Sequence, residues 1–473
     1  MDLSNYLLMK PELSLIVIFL LLIFYDLFAS ENAKKHYFPV ACLLFLVHTV
    51  YCFFIKDEGS SFAGMYVTGG AQLAMKWVLN VGVFLIFLQA NEWLSKADSV
   101  FKRGEFFMLT ILTLFGMYLM ISAGNFLLFY IGLETASLPI AALVAFDKYR
   151  HNSAEAGAKY IFNAIFSSAL MLFGISFIYG GCGTLYFADI FQSIYSTPLL
   201  IMALIFFLSG LFFKISLVPF HLWAPDTYQG APTNVTLYLS TISKGAAVFA
   251  LIIILYRVFP ALVNIWQPAI WILILLTITI GNLFAIRQKN MKRFLAFSSV
   301  SQAGYIMLSV FTGTSTGMAA TIFYVFVYVF SNLAAFGVIS AIENKTGKVN
   351  MSDYNGLYYT NPKLALVMMI AMFSLGGIPP TAGFFSKLFV FIAAMEQGFV
   401  VLVFLALLNT VVSLFYYLLV VKAMFIKKAD VPMESLKTDG YLKTSLVISM
   451  IGIFFVGLIS CFYEYFNSVS FGF

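Results

Sequence analysis

The chain has 473 residues, of which 62% are hydrophobic and only 10% charged, with 53 Phe and a mean hydropathy of +0.94. A soluble domain is nearer half apolar and a quarter charged, so most of this surface meets lipid and a water-soluble enzyme is excluded. The net charge of +6 needs no nucleic-acid partner, because the basic residues collect in the loops on one side of a membrane.

Apolar runs long enough to cross a hydrocarbon core about 30 Å thick recur from end to end, which favours helices over a barrel. In chain order they predict fourteen spans, at about 13–29, 37–55, 74–92, 105–122, 125–146, 157–180, 199–222, 231–257, 262–286, 292–311, 318–342, 362–395, 398–426 and 441–465. Spans 7 and 12 (199–222 and 362–395) are interrupted. The first run follows an acidic, polar start without an Ala-x-Ala-like site, so no cleaved signal peptide is expected. Twenty of the 27 basic residues fall on one side of these spans and four, Lys10, Lys56, Lys76 and Arg257, on the other. The positive-inside rule makes the rich side cytoplasmic and turns both termini outward.

The remaining three basic residues, Lys214, Lys244 and Lys387, lie inside spans. A charge at the centre of a lipid-embedded helix costs roughly 3 kcal/mol on insertion scales, so each is a functional candidate. Asp26 and Glu92 sit within reach of helix ends. Glu134 does not, because apolar residues precede it for nearly three turns. Lys214 opens the segment KISLVPFHLWAPDTYQGAPT, where Pro219 is expected to interrupt a helix and free the carbonyl of Ile215. Freed carbonyls in a membrane need water or a polar partner, which implies a wet cavity. His221 either joins that cavity or ends a helix with a satisfied hydrogen bond. Lys244 follows Ser240, Thr241 and Ser243, whose hydroxyls are expected to bind the ammonium or hold water; the alternative is a lysine snorkelling to the interface.

The second interruption, FSLGGIPPTAGFFSK, carries Gly376, Gly377, Pro379 and Pro380, with Lys387 about two turns later. Two discontinuous helices at corresponding places point to an inverted-repeat transporter. The expected fold is therefore all-α and polytopic, with two inverted five-helix repeats. Its parts are 1–104 (spans 1–3), 105–258 (first repeat), 259–428 (second repeat) and 429–473 (last span). Lys159, Ser298, Ser299, Ser301, Gln302, Ser331 and Asn332 are candidates to complete a polar path, although each alone reads as a packing contact. Cys42, Cys52, Cys182 and Cys461 and the four scattered histidines have no metal spacing, and neither a Walker A nor a Rossmann fingerprint occurs. Gly180, Gly181 and Gly183 read as a turn. The chain thus offers no metal, nucleotide or redox-cofactor site of its own.

KISLVPFHLWAPDTYQGAPT, GLETASLP, SKGAA and GIPPTAGFFSK together resemble subunit N of bacterial proton-pumping NADH:quinone oxidoreductase (respiratory complex I), within the antiporter-like group. Other members of that group tend to carry a W-L-P-D-A-H motif where this chain has Trp223-Ala224-Pro225-Asp226-Thr227-Tyr228, and a long lateral helix like that of subunit L is not expected. The resemblance implies a proton relay in which Glu134 pairs with Lys214, Lys244 is central and Lys387 lies on the exit side. Lys159 matches a span 6 lysine of the family. It also implies a bacterial cytoplasmic membrane, with the other membrane subunits of complex I, lipid, protons and water as partners. Quinone, FMN and iron–sulfur clusters would belong to other subunits. Gln302 stands where several relatives carry histidine; it orders water but does not titrate. The alternatives are a cation/proton antiporter subunit without redox coupling, and a structural subunit with inert charges.

Overall fold

A computed structural model describes residues 4–429 and 431–472. The first three crossings are α1 (Lys10–Phe28), α2 (Tyr37–Phe54) and α3 (Gly70–Leu94), with a hairpin of β1 (Gly59–Ser61) and β2 (Tyr66–Thr68) between the last two. Then come α4 (Arg103–Ile121), α5 (Phe126–Val144), α6 (His151–Cys182), α7 (Pro198–Ile215) and α8 (Thr233–Arg257). A second set follows: α9 (Val263–Ile286), α10 (Met291–Val310), α11 (Ser315–Thr346), the pair α12 (Pro362–Gly376) and α13 (Ala382–Glu396), and α14 (Val400–Phe425). The last crossing is α15 (Gly440–Leu458).

Among the described residues, twelve helices are long and apolar enough to cross a membrane. The polar α10 and the α12–α13 pair bring the crossings to the expected fourteen. Alternating crossings define a hairpin face and a basic face. α4 starts at the basic face and α9 at the hairpin face, so the two five-helix sets are inverted. Lipid-facing helices such as α1, α2 and α14 expose Phe24, Phe54 and Phe404, whereas α8 and α11 are enclosed by protein. α10 falls short in hydropathy because Ser298, Ser299, Ser301 and Gln302 face protein rather than lipid. α4 and α5 cross at backbone distance through Gly116 and Gly132: a Cβ on Gly116 would lie 2.4 Å from Ala136 N and 2.7 Å from Gly132 O. Small residues at such crossings let helices associate without a hydrophobic drive.

Both interruptions use one backbone device. α7 ends where Ser216 turns left-handed (φ 65), and Leu217 N–H donates back to Phe212 O at 2.9 Å. α12 ends where Gly377 turns left-handed (φ 84), and Ile378 N–H donates to Phe373 O at 2.9 Å. The left-handed residue closes each end in a Schellman-like turn. Pro219 was expected to break the helix and free Ile215; it lies beyond the end that Ser216 has already made.

Three further expectations are corrected. Lys76 is not a loop residue: it lies inside α3, fully buried, with its ammonium 2.5 Å from Glu12 Oε1. Gly180 and Gly181 belong to α6, and only Gly183 makes the turn, at φ 73. The final crossing also stops at Leu458, short of the expected 465, and Cys461–Val469 forms a separate helix.

Candidate functional site

Lys214 occupies the last turn of α7 and is buried, and the backbone reverses two residues later. Its ammonium donates to Tyr160 Oη on α6 at 3.0 Å and lies 5.4 Å from the centre of that ring. The break itself is closed by another group: Trp223 Nε1–H donates to Phe213 O at 3.0 Å. The indole also packs edge-on against Tyr160, centroids 5.3 Å apart.

Lys244 lies at the end of a π-helical turn, Leu239–Ser243, that widens α8. π-bulges of this kind recur at functional positions. Two of the three expected hydroxyl partners are otherwise engaged, since Ser240 and Thr241 both donate to Leu237 O. Lys244 instead donates to Ser299 Oγ on α10 at 2.7 Å, with its ammonium 5.6 Å from the Tyr228 ring centre. It is buried rather than snorkelling.

Lys387 on α13 folds back onto the end of α12 and donates to Leu375 O and Gly376 O, both at 3.0 Å. Leu375 O also accepts from Gln302 Nε2 at 2.9 Å. The same Gln302 amide donates to Tyr417 Oη at 2.9 Å, and Gln302 Oε1 accepts from Tyr324. Tyr417 in turn meets Ser298 Oγ at 2.5 Å. Gln302 and Ser298 are thus members of a polar network reaching Lys387, not packing contacts alone. Ser301 meets Tyr416 at 3.3 Å, Ser331 meets Ser374 at 2.7 Å, and Asn332 donates to Tyr328 O at 2.8 Å.

The two remaining axis candidates fall differently from expectation. Glu134 on α5 makes no ion pair with Lys214 within 4 Å among the described residues; Lys214 donates to Tyr160 instead. One Glu134 oxygen, Oε1, is buried with no hydrogen-bond partner, while Leu127, Ile131 and Leu138 on the same side of α5 are exposed. His221 is buried, and neither ring nitrogen makes a well-formed hydrogen bond.

Lys159 is not brought to the axis. Its side chain is 44% exposed at the basic face, where it pairs with Glu155 and Asp226, each at 2.8 Å. Asp226 also binds Arg293 at 2.5 Å, tying α6, the segment after the α7 break and α10 together. Burial works against the Asp226 charge, but the hydrogen bonds from Lys159 and Arg293 hold its carboxyl below the ordinary carboxylate range. Nearby, Lys292 meets Glu343 at 3.0 Å.

Sequence reading missed Tyr160, Tyr228, Arg293 and the role of Asp226. Asp226 lies in a quoted motif, yet nothing in the spacing names partners that are 67 residues away in each direction. Glu12 was overlooked and Lys76 was placed among the loop charges because each lies close to the start of an apolar run, where a charge reads as a helix-end residue.

A polytopic helical membrane protein whose two inverted repeats each contain a broken helix with a buried lysine has the architecture of antiporter-like membrane subunits. A family profile described as "NADH:quinone oxidoreductase/Mrp antiporter, TM" matches residues 123–413. A chain in the respiratory complex I of Thermus thermophilus with bound aureothin is 29% identical and superimposes with a TM-score of 0.79, over 95% of this chain and 97% of that one. A chain of the Mrp complex from a Dietzia species shares the fold, with a TM-score of 0.86 at 21% identity, over 99% of this chain and 97% of that one. The "NADH-quinone oxidoreductase subunit N" of Azobacteroides pseudotrichonymphae is 54% identical over 476 residues, covering 100% of this chain and 99% of its own. The chain belongs to the NADH-quinone oxidoreductase subunit N family.

Proposed function

We propose that this chain translocates protons across a bacterial cytoplasmic membrane within a quinone-reducing complex I, through a relay from Glu134 and Lys214 to Lys244 and then Lys387. The observation that carries the reading is the company these lysines keep. Each is buried and leans on neutral oxygen, from Tyr160, from Ser299 or from two backbone carbonyls. Of the other buried lysines among the described residues, Lys76 and Lys292 each contact a carboxylate, while Lys102, just before α4 at the basic face, donates to Phe146 O at 3.2 Å. An ammonium without a contacting carboxylate releases its proton without leaving a buried anion unpaired.

On the segment after the α7 break and on α11 lie buried polar atoms without a protein partner, namely both nitrogens of His221, Ser216 Oγ, Thr227 Oγ1, Tyr228 Oη and Tyr328 Oη. Each costs about 1–3 kcal/mol if left dry, which favours a hydrated path through the same interior. Gln302 orients that path towards Lys387 and does not itself carry the proton. Glu134, near Lys214 but not touching it, supplies the charge whose movement or neutralisation changes how firmly Lys214 holds its proton. Moving a charge against the membrane potential costs about 2.3 kcal/mol per 100 mV. One pKa unit is worth about 1.4 kcal/mol, so environmental changes of two to three units are of the required size.

On this reading the driving reaction is remote: quinone, FMN and iron–sulfur clusters reside in other subunits, and the neighbours of this chain are further membrane subunits and lipid. The basic face is cytoplasmic and both termini face outward. The test is Lys214→Ala in the assembled complex, with electron transfer and proton uptake followed together in membrane vesicles. Loss of uptake supports the relay, and intact pumping overturns it. Uptake driven only by a cation gradient would instead favour antiport without redox coupling, for which the likeness to the Mrp complex is one of fold alone.

A further inference from the structure

Beneath the hairpin, apart from the three axis lysines, lies a second cluster of buried charge. Glu12 on α1 and Lys76 on α3 are 2.5 Å apart and fully enclosed. Tyr66 Oη, from β2, donates to Glu12 Oε2 at 2.9 Å and accepts from Lys76 at 3.1 Å. Three protonatable groups from three elements therefore share one contact.

The cluster has polar surroundings on both sides. Towards the membrane interior, the Lys76 ammonium lies 5.3 Å from the Tyr118 ring centre, and Tyr118 donates to Asn80, one turn beyond Lys76. Tyr118 Oη is also 3.3 Å from His48 Nε2, whose Nδ1 is 2.8 Å from Ser14 Oγ. On the same helix, Thr113 meets Tyr238 Oη at 2.6 Å, and Tyr238 directly precedes the π turn that ends at Lys244. α3 packs closely on that helix: a Cβ on Gly82 would lie 2.5 Å from Ile242, and one on Gly245 3.3 Å from Met75. Towards the hairpin face, Ser61 Oγ, Thr68 Oγ1 and Ser122 Oγ are buried without partners.

The hairpin itself separates the cluster from an open cavity. Its register pairs Ser60 with Val67 and Ser61 with Tyr66. Side chains alternate across a strand, so Ser61, Tyr66 and Thr68 share the cluster side while Ser60 and Val67 take the other. Ser60, Val67, Gln72, Asp189 and Arg257 line a cavity of about 880 Å³ there. A hairpin one residue layer thick thus stands between the buried carboxylate and this cavity.

We propose that Glu12, Lys76 and Tyr66 form a second protonation site, through which protons leave the Lys244 region by way of Tyr238 and Tyr118 to the hairpin-face cavity. The inference rests on the proton-translocation reading above. A proton arriving at the Glu12 carboxylate makes it a neutral acid and releases Lys76, which remains an ammonium, so the pair passes from zero net charge to one positive charge. Loss of that proton to cavity water restores the pair. Tyr66 hydrogen-bonds both partners throughout and keeps the geometry.

The experiment uses the assembled complex in membrane vesicles and compares Glu12→Gln, a packing-conserving double variant Glu12→Met/Lys76→Met, and Lys214→Ala. Proton uptake per quinone reduced is read alongside the infrared band of a protonated carboxyl during turnover. The expected result is that Glu12→Gln and the double variant lose the same share of uptake as Lys214→Ala, and that the carboxyl band disappears in Glu12→Gln. Normal uptake in Glu12→Gln beside impaired Lys214→Ala overturns this branch and leaves the axis standing. Normal uptake in both overturns the axis as well. If Glu12→Gln fails to assemble, the double variant decides: wild-type uptake makes the cluster a structural pair and overturns the proposal, while lost uptake upholds it.

Discussion

The two broken helices share a backbone and differ in what closes it. At the first break, the left-handed residue is Ser216, a conformation that costs a non-glycine residue roughly 1–2 kcal/mol. There the uncharged Trp223 indole takes a helix-end carbonyl, and Lys214 is left to Tyr160. At the second break, Gly377 takes the same turn freely, and Lys387 itself binds the last two carbonyls. The comparison separates holding a helix end from holding a proton. In the first repeat two side chains divide these tasks, so a change at Lys214 leaves the break in place. In the second repeat one ammonium does both, so a change in its charge is felt directly by the break and, through Leu375 O, by Gln302.

The sharpest test of this contrast is Lys387→Ala, which leaves two buried carbonyls without their charged donor. A destabilisation of about 3–5 kcal/mol is expected in thermal unfolding of the purified complex, well above that of Lys214→Ala. Equal effects for the two would erase the distinction. Next comes Gln302→Leu, which removes one donor from Leu375 O and strands the Tyr324 hydroxyl, while Tyr417 keeps Ser298. It is expected to cost about 2–3 kcal/mol and to slow proton uptake without abolishing it. Trp223→Phe keeps the ring and drops one hydrogen bond to Phe213 O, for about 1 kcal/mol by the same measurement.

The smallest effect concerns acid stability. Lys159 and Arg293 depress the Asp226 carboxyl in the folded chain. Its contribution is therefore complete above the ordinary carboxylate pKa of about 4 and is lost as pH falls through the lower folded value. Asp226→Asn should flatten that acid limb in thermal unfolding, and a parallel limb in wild type and variant would show that the cluster adds nothing.

Much of this arrangement was legible in the amino acids. Fourteen crossings, two interruptions, three intramembrane lysines and the family all followed from hydropathy, loop charge and four short motifs. What misled was local. Pro219 is a helix breaker by rule, yet Ser216 had ended the helix before it, which no propensity of serine announces. Lys76 lies near the start of its span, where charge is inexpensive, and only Glu12, 64 residues earlier, shows that it is buried. Lys159 matched a family position and yet belongs to a half-exposed ion cluster.

The division has a physical basis. Whether a segment crosses the membrane, where its loops lie and which charges stay inside are decided by transfer free energies that each stretch carries by itself. Which oxygen a buried lysine touches is decided by contacts between helices distant in the chain. Ser299 lies 55 residues from Lys244, Tyr160 lies 54 residues from Lys214, and the Leu375 carbonyl is a backbone atom with no side-chain signature. The sequence therefore marked the charged groups, and the tertiary structure assigned one of them to hold a helix end, left others on neutral hydroxyls, and sealed Lys76 against a carboxylate beneath the hairpin.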